Sequence, residues 1–418
     1  LFLTIKGKNN DGSIFIPQAL KKGAKYIVSS KNIRKYKNKT IKVNDEKNFL
    51  KNFASKKRKY TKAKIFAITG SSGKTSLKNI LKDLLQNFGE TLSSPKSFNN
   101  QLGVPISLSQ LQIKHKFGIF EIGMSKAGEI NKLSKLVSPE IGVITNIGEA
   151  HIENFKNVRG IADSKSELID NIKKGGTIIL NYDDKYFSYL AKKARLKKLK
   201  IVSFGLNKKA DISPISQNKN KNKTFLKIKV IDEILKFDAK SINIYNVLSS
   251  LALLKSLNLD LSKITNYFKY YIPTEGRGKI HNIKRYCKTF KLIDESYNAN
   301  PLSVKNAINN FNSIKKRKFK KYLLLGDMLE LGDKSDLLHK DLSKVINNSD
   351  IDKVFIKGSK TLTTYMNINK KKRGNIFQQE EDVDFTFNNI IANNDYLMIK
   401  GSNATGLNNL SKRMIRGY

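Results

Sequence analysis

The sequence of 418 residues has a single cysteine, Cys287, and lacks long apolar runs. One cysteine excludes an internal disulfide bond and a zinc site built from several thiolates. No run approaches the ~18 apolar residues that a membrane-spanning helix needs. Residues 1–8 also lack the charged-then-apolar pattern of a signal peptide. We therefore expect a cytoplasmic protein.

Acidic residues are scarce as well. Asp and Glu number 35 against 79 Lys and Arg, which gives a formal net charge of +44. Clustered cations that neutralise phosphates are typical of nucleic-acid-binding proteins. Here the excess is mostly lysine spread over every segment, with short clusters such as 56–59 and 370–373. We interpret the charge as a compositional bias that would attract anionic substrates.

The apolar pattern divides the chain into three parts of α/β class. A first segment ends in a basic run at Lys56–Lys62, which predicts a linker. Apolar runs then alternate with helical patterns, which is typical of βαβ units and a parallel sheet. An antiparallel ribbon is predicted at 211–239, and a hinge at Ile272–Gly278 precedes a second α/β unit. The predicted domains are residues 1–60, 61–272 and 273–418.

A phosphate-binding loop is the most specific local motif. The apolar run Ile65–Thr69 precedes a Gly-Ser-Ser-Gly-Lys-Thr segment, and a helix with one apolar face follows. Backbone N–H groups and a helix N-terminus surround an anion in such a loop. We predict that Lys74 contacts the β- and γ-phosphates and that the Thr75 hydroxyl binds Mg²⁺. The predicted ATP-binding residues are Gly70, Ser71, Ser72, Gly73, Lys74, Thr75 and Ser76.

Two further polar residues follow predicted strands. Glu121 lies at the end of the run Phe117–Ile122, and His151 follows the run Ile141–Thr145 after a short polar segment. Ligands of open α/β sheets bind beyond the carboxyl ends of the strands. Each residue alone would more often be an ordinary surface or core residue. Beside a phosphate loop, both are candidates for catalysis and for Mg²⁺ binding.

Seven motifs between residues 67 and 402 occur in a characteristic order. They are 67–76, 98–105, 121–124, 146–151, 294–301, 326–332 and 400–402, and the segments Tyr-Asn-Ala-Asn-Pro (297–301) and Gly-Asp-Met-Leu-Glu-Leu-Gly (326–332) are the most specific. In this order they resemble the Mur ligase family of ATP-dependent amide-forming enzymes. The resemblance implies a three-domain architecture with a P-loop central parallel sheet and a Rossmann-like C-terminal domain. Residues 1–60 resemble the latter part of the family's N-terminal substrate domain.

The resemblance also implies an activity in peptidoglycan precursor synthesis. ATP would phosphorylate the terminal carboxylate of a UDP-N-acetylmuramoyl-tripeptide, and the amine of D-alanyl-D-alanine would attack the resulting acyl phosphate. The implied cofactors are ATP and Mg²⁺. The implied enzyme is a monomer whose partners are these two substrates, with no nucleic acid and no membrane.

The family's functional residues map onto this sequence by resemblance. The implied catalytic residues are Lys74, Glu121, His151 and Lys165. The implied metal ligands are Thr75, Glu121, His151 and Lys165, the last as a carbamate formed with CO₂. The nucleotide would also contact Asn246, Arg277 and Glu295. The implied substrate-binding residues are Asn99, Asn100, Tyr297, Asn298 and Asn300.

Alternatives remain open at the level of sequence. A sister ligase on the same scaffold would add a single amino acid to a muramoyl peptide, or glutamate to folate. A basic P-loop ATPase acting on nucleic acid is a third interpretation. The amides of Asn298 and Asn300 can donate and accept, which suits the peptide bond of a dipeptide, although Asn residues before Pro often close turns.

Overall fold

The computed structural model describes residues 1–7, 10–220, 223–240, 242–315, 318–379 and 381–416. The first part of the chain forms a small parallel sheet of order β1-β2-β3. Its elements are strands β1 (Phe2–Leu3), β2 (Ile27–Ser29) and β3 (Thr40–Lys42), and helices α1 (Ile16–Lys21) and α2 (Glu46–Tyr60). The Glu46 carboxylate joins α2 to this sheet, accepting from the Ser30 N–H at 2.6 Å and from the Thr4 hydroxyl at 3.1 Å.

The predicted linker at Lys56–Lys62 is wrong, because α2 continues to Tyr60. Leu50, Ala54 and Arg58 lie four residues apart and form one buried stripe. The Arg58 guanidinium donates to the carbonyl oxygens of Val137 (2.7 Å) and Ser138 (2.6 Å), and lies 3.0 Å from Glu140 Oε1. The basic run is therefore a helix end anchored on the central part of the molecule.

We expect Arg58→Ala to lower the free energy of unfolding by about 1–3 kcal/mol, because the Val137 and Ser138 carbonyls lose this donor, while Glu140 keeps Lys173 and the Ile65 N–H as partners. Urea denaturation measures the change. Lys59→Ala removes a neighbouring exposed cation of the same helix and is the matched control, with an expected change within about 0.5 kcal/mol. Equal effects of the two substitutions would contradict this role of Arg58.

The central part is built on one large sheet of order β12-β11-β10-β9-β8-β7-β4-β6-β5. Its strands are β4 (Lys64–Thr69), β5 (Thr91–Ser93), β6 (Phe117–Glu121), β7 (Ile141–Ile144), β8 (Thr177–Asn181), β9 (Lys200–Phe204), β10 (Ile212–Asn220), β11 (Lys223–Val230) and β12 (Glu233–Ala239). Its helices are α3 (Lys74–Gln86), α4 (Gly103–Ser109), α5 (Glu129–Val137), α6 (Val158–Asp170), α7 (Phe187–Leu196), α8 (Ile244–Ser256) and α9 (Thr265–Tyr270). The predicted antiparallel ribbon is confirmed as β10 to β12, which extend the parallel strands through the β9–β10 pair.

The third part carries a second sheet of order β13-β14-β18-β15-β16-β17, parallel except for the β13–β14 hairpin. Its strands are β13 (Lys279–Arg285), β14 (Lys288–Glu295), β15 (Lys321–Gly326), β16 (Lys353–Lys357), β17 (Arg373–Ile376) and β18 (Tyr396–Lys400). Its helices are α10 (Pro301–Asn312), α11 (Ser335–Asn347), α12 (Thr361–Asn367), α13 (Glu381–Ile390) and α14 (Leu407–Arg416). The predicted α/β class is confirmed.

The topology places one sheet edge where a ligand can bind. Strand β4 pairs in parallel with β6 on one side and with β7 on the other. Later strands are therefore added to the sheet on both sides of β4, and the strand order reverses there. Such a switch point opens a crevice beyond the carboxyl ends of the strands. No helix within the described ranges is long and apolar enough to cross a membrane.

Candidate active site

The phosphate loop, residues 70–75, follows β4 and leads into α3, as predicted. Gly70 and Gly73 have φ angles of +146° and +83°, which favour glycine. A Cβ atom at Gly70 would lie 1.9 Å from the Thr145 Oγ1 atom. Both glycines are therefore favoured by backbone geometry, and Gly70 also by its close packing against the end of β7.

The segment after β7 forms one wall of this loop. The Ser71 N–H donates to the Asn146 carbonyl at 3.0 Å, and the Ser72 N–H donates to Asn146 Oδ1 at 2.9 Å. The Ser71 hydroxyl donates to the Gly148 carbonyl and accepts from the Gly148 N–H, both at 2.9 Å. The Thr145 hydroxyl donates to the Ser72 carbonyl at 2.6 Å. The two sequence motifs thus meet at the crevice.

The structure brings together the predicted residues Lys74, Thr75 and Glu121. The Thr75 hydroxyl donates to Glu121 Oε2 at 2.7 Å, and Asn99 Nδ2 donates to Glu121 Oε1 at 2.7 Å. Lys74 Nζ donates to the Gly70 carbonyl at 2.7 Å. Burial lowers the pKa of Lys74, while the Glu121 carboxylate opposes this effect. The Lys74 ammonium and the Glu121 carboxylate therefore interact electrostatically in this site.

The chemistry of these groups fits a magnesium ion. A hydroxyl and a carboxylate supply the hard oxygen ligands that Mg²⁺ prefers, usually alongside substrate phosphates and water. Within the described ranges, no three His, Cys, Asp or Glu side chains cluster as a complete metal site. Thr75 and Glu121 would thus hold the ion together with phosphate oxygens.

His151 lies beside this group in a strained conformation. Its φ angle of +59° is in the left-handed region, and its Nδ1 atom lies 2.7 Å from Glu330 Oε2, outside hydrogen-bond geometry. Burial, followed by the charges of Lys74 and Lys165, lowers the pKa of His151 to about 4. The imidazole is therefore neutral near pH 7, as a metal ligand must be.

Lys165 is buried in α6, with only 2% of its surface exposed. No hydrogen bond among the described residues involves its Nζ atom. Burial and the charge of Lys74 lower the pKa of Lys165 well below its ordinary value. A neutral amine is the form that reacts with CO₂, so the environment suits the carbamate that the resemblance implies.

The residues implied for the nucleotide lie at different distances from the loop. Asn246, in the first turn of α8, has its Oδ1 atom 3.5 Å from where a Cβ at Gly73 would stand. The Arg277 guanidinium packs 4.1 Å from the centre of the Tyr297 ring. Glu295 Oε2 lies 3.5 Å from Lys400 Nζ. Asn246 is thus beside the phosphate loop, whereas Arg277 and Glu295 come from the segments that precede β13 and end β14.

Ser97 joins the two domains and was missed at the sequence level. Its hydroxyl lies 2.9 Å from the Tyr297 OH, 3.2 Å from Arg277 Nη2 and 3.3 Å from Thr75 Oγ1. One small side chain of the central domain therefore contacts a predicted metal ligand and two residues of the C-terminal domain. No local pattern marks it, because its role depends on contacts across the domain boundary.

Lys78 was also missed, although a signal exists. It is 1% exposed, its Nζ atom donates to the Ser94 carbonyl at 2.7 Å and to the Lys96 carbonyl, and it lies 3.9 Å from Glu121 Oε2. Burial lowers the pKa of Lys78 to about 8. Lys78 lies four residues after Lys74 and therefore on the same face of the helix. A lysine within the apolar face of α3 is the sequence pattern that marks this residue.

The predicted substrate-binding asparagines have distinct environments. Asn100 Oδ1 accepts from the Leu102 and Gly103 N–H groups (3.2 and 2.8 Å) at the start of α4. Asn298 is exposed, with its Oδ1 atom 2.9 Å from the Ala299 N–H. Asn300 is buried and caps α10. Of the two asparagines in the C-terminal loop, Asn298 is therefore the accessible one.

Comparison with known proteins agrees with this geometry. Two family models match: the Mur ligase middle domain over residues 68–254, and the Mur ligase, glutamate ligase domain over residues 280–403. The UDP-N-acetylmuramoyl-tripeptide–D-alanyl-D-alanine ligase of Rickettsia prowazekii is 33% identical over 416 residues, covering 98% of this chain and 91% of that protein. The chain belongs to the Mur ligase family. The resemblance stated from the motifs is confirmed.

Solved structures of the family share the fold. MurF from Acinetobacter baumannii superposes with a TM-score of 0.87 at 25% identity, covering 99% of this chain and 90% of that one. MurF ligase from Thermotoga maritima in complex with ADP gives a TM-score of 0.85 at 23% identity, covering 100% of this chain and 94% of that one. This Mur ligase therefore has the predicted three-domain architecture.

Proposed function

We propose that this Mur ligase joins D-alanyl-D-alanine to a UDP-N-acetylmuramoyl-tripeptide at the expense of ATP, in peptidoglycan precursor synthesis. The observation that carries the proposal is the near full-length match to a relative whose name states this reaction. The geometry supports it, since the phosphate loop and the loop containing Tyr297 meet at Ser97. The donor carboxylate, the ATP phosphates and the acceptor amine would meet at this boundary.

The chemistry requires positioning and charge neutralisation more than covalent participation. Lys74 would neutralise charge on the transferring phosphoryl group, and the amine of the dipeptide would then displace phosphate from the acyl phosphate. One Mg²⁺ held by Thr75 and Glu121, and a second held by His151, would supply further neutralisation, with the carbamate of Lys165 as a negatively charged metal ligand. Each of these side chains acts through a fixed charge or lone pair.

The remaining site residues are assigned either to the nucleotide or to the two peptide substrates. Asn246, Arg277 and Glu295 are proposed to bind the nucleotide with residues 70–76. The muramoyl peptide and the dipeptide are proposed to contact Asn99, Asn100, Tyr297 and Asn298, with Asn300 treated separately below. The proposal includes domains at residues 1–60, 61–272 and 273–418, a monomeric state and a cytoplasmic location.

Phosphate release under systematic omission tests this function. With ATP and Mg²⁺ present, we expect turnover only when both the UDP-muramoyl tripeptide and the dipeptide are added, because the acyl phosphate forms on one and is consumed by the other. DNA and RNA serve as separate arms at low and high salt. ATP turnover that depends on nucleic acid and falls steeply with salt would replace the proposal with the nucleic-acid alternative.

A further inference from the structure

The side-chain amide of Asn300 spans the boundary between the C-terminal domain and the phosphate loop. Its Oδ1 atom accepts from the Ser303 N–H at 2.9 Å and so caps α10. Its Nδ2 atom donates to the Ser71 carbonyl oxygen at 3.1 Å. Asn300 is only 8% exposed. The oxygen of the amide thus bonds within the C-terminal domain, and its nitrogen bonds across the boundary to the phosphate loop.

The Ser71 carbonyl belongs to a peptide group that the central domain holds from the opposite side. The N–H of the same peptide group is that of Ser72, which donates to Asn146 Oδ1 at 2.9 Å. Because the peptide group is planar, the two hydrogen bonds together fix its rotation about the chain. Its orientation therefore depends on one hydrogen-bond partner from each domain.

A second contact seats the same helix start on the wall of the loop. Leu302, in the first turn of α10, lies so close to Gly148 that a Cβ atom there would stand 3.0 Å from Leu302 Cδ2. Gly148 exchanges two hydrogen bonds with Ser71. The start of α10 thus contacts the loop directly through Asn300 and indirectly through Gly148.

We infer that Asn300 is a positioning residue that couples the seating of the C-terminal domain to the geometry of the phosphate loop. The inference rests on the proposed function, in which the acceptor must reach an acyl phosphate formed at that loop. With the domain seated, the Ser71–Ser72 peptide group is held at both ends. With the domain displaced, the buried Ser71 carbonyl loses its donor, which is unfavourable.

Two substitutions separate this role from helix capping. Asn300→Ser and Asn300→Asp both keep a good N-cap oxygen, but neither carries the amide donor, and the neutral serine controls for the charge of the aspartate. Steady-state kinetics are measured for ATP and for D-alanyl-D-alanine. We expect kcat to fall roughly tenfold in both variants, with the dipeptide KM within about twofold of the parent value.

Ser303→Ala is the matched control. It removes the hydroxyl that accepts from the Asn300 N–H at 3.0 Å, the other half of the capping box, and leaves the bond to Ser71 intact. We expect a lower melting temperature with parent kcat for Ser303→Ala. For the two Asn300 variants we expect reduced kcat as well as some loss of melting temperature, because the Ser71 carbonyl loses its donor; the fall in kcat is what separates them from Ser303→Ala.

Two results would overturn the inference. If both Asn300 variants kept the parent kcat, Asn300 would act only as a helix cap. A raised dipeptide KM with unchanged kcat would make Asn300 a substrate ligand instead. Failure of the proposed function is distinguishable, because a parent enzyme that prefers a single amino acid would disprove that function. The kcat ratio on that acceptor would still test the coupling.

Discussion

Lys74→Ala is expected to lower kcat by about 10²–10³-fold, because it removes a preorganised charge from the transferring phosphoryl group. Its Nζ atom donates to the Gly70 carbonyl at 2.7 Å and is therefore held within the phosphate loop. Phosphate release at saturating ATP, tripeptide and dipeptide measures the loss.

Lys82→Ala is the matched control for Lys74→Ala. Lys82 lies on the same helix α3 and is partly exposed, so its removal changes net charge equally without touching the loop. We expect it to retain most of the parent kcat. A Lys74→Ala enzyme with kcat close to that of Lys82→Ala would show that the phosphate-loop assignment is mistaken.

Activity is expected to depend on CO₂ through Lys165. The neutral amine of Lys165 adds to CO₂ and releases a proton, which gives a negatively charged carbamate. This carbamate would lie in a buried site that is influenced by the charge of Lys74. Lys165→Ala is expected to lose about 10²-fold or more in kcat, since a charged group in such a site is worth that much. Parent enzyme in CO₂-depleted buffer should lose activity and regain it with bicarbonate.

Lys165→Arg is the comparison that isolates the modification. It keeps a positive charge but presents a guanidinium that stays protonated, so it should be inactive with and without bicarbonate. Intact-mass measurement of the parent under bicarbonate should show the added carbon dioxide. An unmodified parent enzyme whose activity ignores bicarbonate would contradict the carbamate.

Local pattern was sufficient wherever one stretch of chain determines the geometry. The apolar spacing after Lys74 predicted helix α3, and the residues Leu77, Ile80, Leu81, Leu84 and Leu85 are all buried there. The ends of β4, β6 and β7 converge because parallel strands in adjacent positions point the same way. The positions of Glu121 and His151 near the loop therefore follow from the strand pattern of the sequence alone.

Local pattern failed where a polar side chain is buried by a distant segment. The run containing Arg58 has the composition of a solvated linker, and only its partners Val137, Ser138 and Glu140 make a buried helix end favourable. The donor and acceptor capacity of the Asn300 amide placed it among the substrate-binding residues, and no local pattern shows that the amide also donates to the Ser71 carbonyl. Asn300 and Ser71 are 229 residues apart in the sequence, so no local sequence pattern can reveal their contact.

The acceptor preference tests the central claim most directly. Product mass and phosphate release are measured with ATP, Mg²⁺, the UDP-muramoyl tripeptide and one acceptor at a time: D-alanyl-D-alanine, D-alanine, L-alanine, diaminopimelate or glutamate. A site that hydrogen-bonds a peptide group should discriminate strongly against acceptors that lack one. We predict a pentapeptide product with the dipeptide and little turnover with the others. Equal or faster turnover with any single amino acid would contradict the account and identify a sister ligase.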